Sequence, residues 1–479
     1  MTHRQPHHPQ HAQHLHNAHH TDGAPQSTGL LCPDALRDAV ERGDITTVML
    51  AVPDMMGRLK GKRLHASVFL EQLLSRAEMC AYILASDVDM TPLPGFGLTG
   101  WEQGYGDISV LPDMGTIRHL SYLPGTTLIH ADAVHREGTL VEVAPRQMLR
   151  TQLQRLTGLG LEVRVGLESE FVLYQGSPHH ARQAGYRGLE PVSPHNLDYA
   201  LDHPPALSDF FRYLEDALHH AGTPAEAVKT EGAPGQIEVT FPYGPALPAC
   251  DAYTVYQHAV RHLAQRHCLT PTFMAVPQTG VGSGLHIHLS LLDVASYRNT
   301  FAARLDEEEL PATMQRAIAG LISAMPYLAP LYAPHANSYK RYAPRSFAPT
   351  RFTWGYDNRS CAIRVTGHGP GRHLEVRLPG ADANPYLALA ATLAAIHHGL
   401  TTQPELPPHT AGDAYQSADA LPVPRDLIEA LADFDDSKIT QNAFGEAVVR
   451  HYAHAAQHEI DAHRGLVTDI ELDRGFLRA

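Results

Sequence analysis

The chain has 479 residues, of which 43 % are hydrophobic, enough for a large core and a smaller second domain. Its 51 acidic and 37 basic side chains give a formal charge of −14, which argues against nucleic acid and anionic membranes as partners. No run of about 18 apolar residues could span a bilayer. Met1 is followed by polar residues and histidine without an apolar signal core, so we expect a cytoplasmic protein.

The five cysteines are an odd number and include no CxxC pair. They therefore fit neither a disulfide framework nor a zinc-ribbon pattern. We predict reduced, buried thiols at Cys32, Cys80, Cys250, Cys268 and Cys361.

The sequence divides into three parts. Residues 1–29 are rich in His, Gln and Pro without apolar periodicity, which predicts a disordered tail. Such a tail can bind transition metals adventitiously, but it cannot hold a catalytic site in a fixed geometry. Residues 30–140 form the expected N-terminal domain, with a helix at 33–44 and a hairpin at 46–64. Residues 141–479 form the expected larger domain.

Periodicity and capping signals place the elements of the larger domain. Gly158 is the expected end of its first helix, and Ser208 is the expected N-cap of the second. The predicted helices span 145–160, 208–222, 384–400 and 439–463, and the predicted strands span 161–174, 231–241 (with a turn inside) and 284–292.

Two strand-like segments carry pairs of carboxylates. In "GLESEF", Glu168 and Glu170 share one strand face, roughly 6–7 Å apart at about 3.3 Å per residue. Their apolar surroundings penalise charge. Glu231 and Glu238 flank "GAPGQI", whose Pro-Gly turn can fold the two carboxylates back to one place.

Two further segments add imidazoles and an acid–base pair. "GSGLHIH" places His286 and His288 on one strand face, and "RHLEVRLPG" does the same for Glu375 and Arg377. Carboxylates with two imidazoles favour Mg²⁺ or Mn²⁺, and at least two ions are needed to neutralise this many acids. Zinc fits less well, because no Cys/His pair has zinc spacing.

An arginine-rich stretch follows at 337–365. Arginine offers a fork of donors suited to carboxylate and phosphate oxygens, and metals with arginines are the equipment of phosphoryl transfer. The chain contains no GxxxxGK[ST], so a P-loop does not hold a nucleotide here. The arginines are Arg341, Arg345, Arg351, Arg359 and Arg364.

Each of these features alone has a structural explanation. A single ExE is most often a solvated face or an ion pair, HxH is as often structural as functional, and arginine-rich loops usually lie on surfaces. Together they occur in apolar or Gly-rich settings, and the acidic and basic sets complement each other. A metal-dependent site is therefore the better hypothesis.

The combination resembles the glutamine synthetase family, type I, over roughly residues 30–479. The markers occur in family order: "GLESEF", "PGQIEV", "GSGLHIHLSL", "NSYKR", "NRS" with "IR", and "EVRLPGADANPYLALAA". The resemblance implies an α+β fold, with a small N-terminal β-grasp-like domain and a large catalytic domain whose open antiparallel β-barrel-like sheet is flanked by helices. It also implies a homo-oligomer, a dodecamer of two stacked hexameric rings with active sites shared between neighbouring chains.

Carried over residue by residue, the resemblance implies two metal sites that hold two or three Mg²⁺ or Mn²⁺ ions, with ATP as co-substrate. The ligands of one ion would be Glu170, Glu231 and Glu238. The ligands of the other, which also contacts an ATP phosphate, would be Glu168, His286 and Glu375.

The resemblance also assigns substrate contacts. His288 and Ser290 match nucleotide-side positions. The glutamate-binding positions match Gly282, Arg341 and Arg377, and the phosphate-binding arginines match Arg359 and Arg364. The four arginines would be the catalytic groups.

The implied reaction has two steps. The γ-carboxylate of glutamate attacks the γ-phosphate of ATP, and an amine then displaces phosphate from γ-glutamyl phosphate. The sequence departs from the family pattern at three places, of which the first two bear on the amine and the third, at Val281, bears on one glutamate contact. Phe347 in "PRSFAP" replaces a Glu that helps bind ammonium, Pro94 or Gly95 in loop 92–101 falls where an Asp is expected, and Val281 replaces an Asn.

The two missing carboxylates are anionic contacts that desolvated ammonium needs, whereas Phe347 suits an alkyl amine through packing or a cation–π contact. We therefore expect a γ-glutamyl-amine ligase acting on a polyamine, ethanolamine or another primary amine. The alternatives are a glutamine synthetase that takes ammonium at a shifted site, a non-catalytic sensor or scaffold, and a two-metal phosphohydrolase. The phosphohydrolase would not need the arginine stretch.

Overall fold

The structure, a computed structural model, describes residues 29–302 and 309–479. The predicted tail over 1–29 lies outside the described residues, apart from Gly29. Within the described part of the chain, no helix combines the length and the apolar character that crossing a membrane requires.

The first sheet consists of strands from residues 47–134. They are β1 (Thr47–Pro53), β2 (Leu59–His65), β3 (Ala77–Cys80), β4 (Asp107–Pro112), β5 (Arg118–His119) and β6 (Thr126–Val134). β1 and β2 form the predicted hairpin, with Thr47 opposite His65. β1 also pairs in parallel with β6, and the order is β2-β1-β6-β4-β3, with β5 beside β6. A hairpin with a parallel neighbour is the predicted β-grasp-like arrangement.

The second sheet is larger and almost entirely antiparallel. Its strands are β7 (Leu161–Gln175), β8 (Ala227–Thr230), β9 (Gln236–Thr240), β10 (Gly244–Pro245), β11 (Leu269–Thr272), β12 (Leu285–Asp293), β13 (Trp354–Tyr356), β14 (Ile363–Thr366) and β15 (His373–Val376). Their order is β13-β14-β15-β12-β7-β9-β8, and β10 and β11 also pair with β7. Only β13 and β14 are parallel among these pairings. The long β7, which carries "GLESEF", therefore runs through the middle of the sheet, as the open antiparallel prediction requires.

The helices surround the two sheets. They are α1 (Pro33–Glu41), α2 (Ala66–Val68), α3 (Pro145–Thr157), α4 (Pro178–Gln183), α5 (Pro205–His220), α6 (Ala246–Arg266), α7 (Ala312–Ala324), α8 (Ala329–Tyr332), α9 (Pro385–Thr402), α10 (Leu427–Asp435), α11 (Lys438–Phe444), α12 (Glu446–Arg464) and α13 (Asp469–Gly475).

Two helix predictions were wrong in detail. Ser208 is not an N-cap, because α5 begins three residues earlier behind Pro204, and a proline in the first turn is already set for helix geometry. The predicted helix over 439–463 is two helices, α11 and α12. They are separated by Gly445, whose φ of 82° no α-helix can continue through.

The centre of the core is α9, whose residues from Pro385 to Ile396 are all buried. A helix that is apolar on every face has to lie inside the protein. It passes α7 at a pair of glycines, where a Cβ on Gly320 would lie only 2.5 Å from the Cα of Gly399. The missing side chains let the two helices approach this closely.

A buried ion network joins the first sheet to the helices behind the second. Arg146 on α3 donates to Asp132 at 2.7 Å, to Asp113 at 2.8 Å and to Asp251 on α6 at 2.7 Å. Tyr386 on α9 donates to Asp251 at 2.6 Å. A buried arginine with three carboxylate partners is satisfied, and removing one partner would leave an uncompensated charge.

The five cysteines are free, as predicted, but they are not all buried. Cys250 and Cys361 lie in the interior, whereas Cys268 is exposed. Cys268 follows the end of α6 with a φ of 54°, so it belongs to a surface turn that the apolar pattern did not reveal.

Candidate active site

The second sheet forms one side of a cleft of about 600 Å³. Most of the residues singled out from the sequence meet in its wall, although they come from positions up to 209 residues apart, between Glu168 and Arg377. They are Glu168, Glu170, Glu231, Glu238, Gly282, His286, Arg341, Phe347, Arg359, Glu375 and Arg377.

Strand register brings the acidic side chains together in rows. On β7, Glu168 lies opposite His286 of β12. Two residues on, Glu170 lies opposite Glu238 of β9, which lies opposite Lys229 of β8. Because positions two apart on a strand share a face, both rows point into the same cleft.

A third row lies beside the first. Glu375 of β15 is opposite His288 of β12 on one side and Arg364 of β14 on the other. His288 Nε2 lies 3.0 Å from a carboxylate oxygen of Glu168, and Arg364 Nη1 donates to Glu375 at 2.8 Å. His288 and Arg364 therefore flank Glu375 in the sheet and contact the cleft carboxylates, although they are not among the residues that line the cleft.

Three sets of side chains bring their ligand atoms within 4.8 Å of one another. They are Glu170 with Glu231 and Glu238, Glu168 with Glu238 and His286, and Glu168 with His288 and Glu375. The first set is the trio that the resemblance implies for one ion. The second implied trio is divided: His286 Nδ1 lies 3.3 Å from Glu168 and 3.7 Å from Glu375, but the tight set around Glu375 contains His288. Oxygen-rich sets with one imidazole fit Mg²⁺ or Mn²⁺.

The surroundings shift the pKa values of two carboxyl groups of this cluster in opposite directions. Burial and the nearby negative charge of Glu168 and Glu170 raise the pKa of Glu238 to about 9. Burial also works against a charge on Glu168, but hydrogen bonds from His286 and His288 outweigh it and hold the pKa of Glu168 well below its usual value. The carboxylates thus need more positive charge than the chain supplies, and divalent cations would provide it.

Two buried arginines, Arg341 and Arg377, also line the cleft. Arg341 Nη1 donates to the backbone carbonyls of Arg377 and Leu378 at 3.2 and 3.1 Å. Arg377 forms an ion pair with Glu375 and donates to the carbonyl of Phe347 at 3.3 Å. The Nε of Arg377 is buried without a partner, so it is one donor left for a ligand.

The rim of the cleft consists of loops. Phe347 is 66 % exposed, and its φ of 58° is uncommon for a residue other than glycine. Arg345 shares this left-handed conformation, with a φ of 63°. Arg359 and Val281 also line the rim. The rim thus carries an aromatic ring and cations where the resemblance leads one to look for a carboxylate.

Besides His288, Arg351 and Arg364, two further sequence-predicted features do not line the cleft. Ser290 is buried, and its hydroxyl is hydrogen bonded to the hydroxyl of Tyr243. In the described part of the chain, loop 92–101 contributes no residue to the wall. Instead Phe96 packs on α12, with ring centroids 4.5 Å from His451 and 4.7 Å from His454.

Among the cleft residues that sequence reasoning missed, four have charged, aromatic or amide side chains. Asp198, Tyr199 and Lys229 line the cleft, and Gln236 donates to Glu170 at 3.0 Å and so orients it. Gln236 stands within the "PGQIEV" marker. Lys229 could have been found by strand alternation, because it lies two residues before Glu231. Asp198 and Tyr199 belong to a loop with no sequence signal of this kind.

The fold and the cleft define a class of protein, an α+β enzyme whose carboxylates, imidazoles and arginines can act on phosphate groups with divalent metal. Residues 142–475 match the family model described as the catalytic domain of glutamine synthetase. The chain belongs to the glutamine synthetase family, whose synthetases and ligases form C–N bonds.

Individual relatives cover nearly the whole chain. Gamma-glutamylethanolamide synthetase GlnA4 of Streptomyces coelicolor is 43 % identical over 446 residues, which are 93 % of this chain and 96 % of that protein. Glutamate–isopropylamine ligase of a Pseudomonas species is 31 % identical, over 92 % of this chain and 96 % of that protein. A solved complex of GmaS with ADP superposes with a TM-score of 0.78 at 26 % identity, over 94 % of this chain and 99 % of that one.

Proposed function

We propose that the chain is an ATP-dependent ligase that joins the γ-carboxylate of L-glutamate to an organic primary amine through γ-glutamyl phosphate. The observation that carries the proposal is the rim, where Phe347 lies beside the carboxylates and arginines that line the cleft. The names of two relatives, an ethanolamide synthetase and an isopropylamine ligase, also point to organic amines.

In the first step, Arg341 and Arg377 would hold glutamate with its γ-carboxylate at the cleft centre. A carboxylate oxygen attacks the γ-phosphorus, the bond to the bridging oxygen breaks, and ADP leaves with the electron pair. Mg²⁺ or Mn²⁺ held by the Glu170–Glu231–Glu238 set and around Glu168 would neutralise phosphate charge when bound.

In the second step, the free-base amine attacks the acyl carbon. The carbon–oxygen bond to phosphate breaks and phosphate leaves with the electron pair. The nitrogen loses a proton, which the released phosphate takes up, and the amide results. Arg359, which lines the cleft, and Arg364, which donates to Glu375, would stabilise the departing phosphate. Phe347 would cover the organic part of the amine and limit the access of water.

We also propose that the domain boundary lies near residue 140, which the division of the strands between two sheets supports. The enzyme would work in the cytoplasm, where ATP is available.

The implied dodecamer would explain why loop 92–101 lies away from this chain's own cleft. Light scattering tests it: a mass near twelve chains is expected, and a monomer would contradict it.

The function is tested by ADP release with glutamate, Mg²⁺ and a panel of acceptors that includes ethanolamine, isopropylamine, putrescine and ammonium. We expect turnover with at least one organic amine to exceed that with ammonium by about tenfold or more. Turnover with ammonium alone would instead indicate an ordinary glutamine synthetase. Binding of Mg·ATP without any turnover would indicate the sensor or scaffold.

A further inference from the structure

A lysine side chain occupies the acidic cluster next to the rim. Lys229 Nζ forms an ion pair with Glu231 and lies 3.3 Å from an oxygen of Glu238. It also lies 4.6 Å from the centre of the Tyr199 ring, over its face. Two carboxylates and an aromatic face are the surroundings that recognise an ammonium group.

The backbone places this lysine, so its position does not depend on side-chain flexibility alone. Lys229 pairs with Glu238 across β8 and β9, in the same row as Glu170. Lys229 and Glu231 are two positions apart and lie on one face, and the lysine side chain is only 22 % exposed. Its ammonium group is therefore directed into the cleft.

The loop that carries Tyr199 is also held in place, by hydrogen bonds to the residues at the end of β8. Asn196 donates to the carbonyl of Gly232 at 3.0 Å, and Thr230 donates to the carbonyl of Leu197 at 2.7 Å. The amide of Tyr199 donates to the carbonyl of Thr230 at 3.3 Å. Tyr199 itself has a φ of 55°, a conformation that persists only where the surroundings hold it. The loop is thus tied to the end of β8.

We propose that Lys229 fills, from within the chain, the position in which a free ammonium ion would bind, and thereby excludes ammonium as the acceptor. This inference rests on the proposed function and names a residue that determines its specificity. Ammonium is recognised by charge and hydrogen bonds alone, so it needs carboxylate oxygens that no other group has taken. Lys229 takes the oxygens of Glu231 and Glu238 that a bound metal ion would leave free. An organic amine has apolar surface that Phe347 and Val281 can contact, so it can bind outside that position.

The test is Lys229→Met, which removes the charge and keeps a side chain of similar length. We expect the ratio of kcat/KM for ammonium to kcat/KM for the best organic amine to rise by about tenfold or more, mainly through a lower KM for ammonium. Ammonium should also become a competitor of the organic amine, which it should not be for the unmodified enzyme. Lys229→Arg, which keeps the charge, should continue to exclude ammonium.

Two controls separate specificity from other effects. Lys62→Met makes the same substitution at a lysine that only contacts the carbonyl of Glu78, and it should leave the ratio unchanged. Glu231 and Glu238 are proposed metal ligands, so Mn²⁺ binding to each variant is measured by calorimetry without substrates. The kinetic assays are then run at saturating metal. If Lys229→Met does not fold by circular dichroism, Lys229→Gln replaces it.

The outcomes distinguish this inference from the proposed function. If the unmodified enzyme uses no organic amine, the proposed function fails whatever the variants do. If it uses organic amines but the folded, metal-saturated Lys229→Met or Lys229→Gln variant still ignores ammonium, the proposed function stands and the role of Lys229 is overturned. Efficient use of ammonium beside organic amines by the unmodified enzyme would overturn the role of Lys229, whereas use of ammonium alone would overturn both.

Discussion

The floor and the rim of the cleft are built in different ways. The floor consists of strand residues such as Glu170, Glu238 and Glu375, which are buried and aligned by the register of a continuous sheet. The rim consists of loop residues such as Tyr199 and Phe347, which are 68 % and 66 % exposed and have left-handed backbones. Each such conformation costs about 1–2 kcal/mol at a residue other than glycine.

This difference shows how one fold can serve several acceptors. A substitution in the floor moves groups that the neighbouring strands hold in place, so it disturbs the whole metal site. A substitution in the rim changes what covers the acceptor and leaves the register intact. Under the proposed function, the floor would carry the phosphoryl chemistry and the rim would carry the choice of amine.

The largest effect is expected in the floor. Glu170→Gln removes one negative charge from the Glu170–Glu231–Glu238 set but keeps the shape of the side chain, and Glu168→Gln does the same for the neighbouring sets. We expect each variant to lose about a thousandfold or more in kcat, because metal binding and charge neutralisation are impaired together. Glutamate- and amine-dependent ADP release measures the loss.

The matched control is Glu226→Gln, an exposed carboxylate just before β8, which should keep full activity. Circular dichroism should show the same fold in all three variants. Activity close to that of the unmodified enzyme at low Mg²⁺ in either floor variant would mean that the carboxylate is not a metal ligand.

The floor was largely predictable from the sequence. Strand periodicity predicted that Glu168 and Glu170 share one face. The Pro-Gly turn predicted that Glu231 folds back towards Glu238, and the structure has both arrangements. The distribution of ligands over individual ions was not predictable from spacing. It depends on which strand lies beside which, and β15 places Glu375 next to His288.

A smaller effect is expected at the buried arginines. Arg341→Lys keeps the positive charge but loses the planar fork that reaches the carbonyls of Arg377 and Leu378. We expect kcat/KM for glutamate to fall about a hundredfold, measured at saturating ATP and amine. Arg212→Lys on the surface of α5 should change nothing. An unchanged KM and kcat for Arg341→Lys would remove Arg341 from the glutamate site.

The next effect concerns how the free energy of unfolding depends on pH through His451, on which Phe96 of loop 92–101 packs. Burial lowers the pKa of His451 from 6.5 to about 4. Between these values the unfolded chain binds a proton that the folded chain does not, so stability is complete above about pH 6.5 and falls as the pH falls towards 4. At pH 5 we expect this histidine to lower the free energy of unfolding by about 2 kcal/mol relative to pH 7.

Urea unfolding at pH 7 and pH 5 measures this loss. His451→Gln keeps a donor for the carbonyl of Leu84, and it should show a pH dependence that is smaller by about 2 kcal/mol than that of the unmodified protein. Other buried histidines such as His130 titrate in both proteins, so only the difference is informative. Equal pH dependence would show that His451 is accessible to protons in the folded chain.

The rim was less predictable from the sequence than the floor. Phe347 was found because it departs from a family pattern, but its exposure and backbone conformation were not visible in the sequence. Tyr199 was missed because its position depends on hydrogen bonds between a loop and a strand end that are not adjacent in the chain. Lys229 was missed because the predicted strand began only at residue 231, whereas β8 spans Ala227–Thr230.

The smallest effect is expected from Phe347→Glu, which adds a carboxylate to the rim. With Lys229 still in the acidic cluster, we expect the preference for organic amines over ammonium to fall only about fivefold, measured as a ratio of kcat/KM values. Phe347→Leu, which keeps an apolar side chain, should retain the preference.

In the double variant with Lys229→Met, both obstacles to ammonium are removed at once, so the combined gain should exceed the product of the separate gains. Strictly independent effects would show that the rim and the lysine act on different positions, whereas no effect of Phe347→Glu at all would mean that the rim does not select the amine.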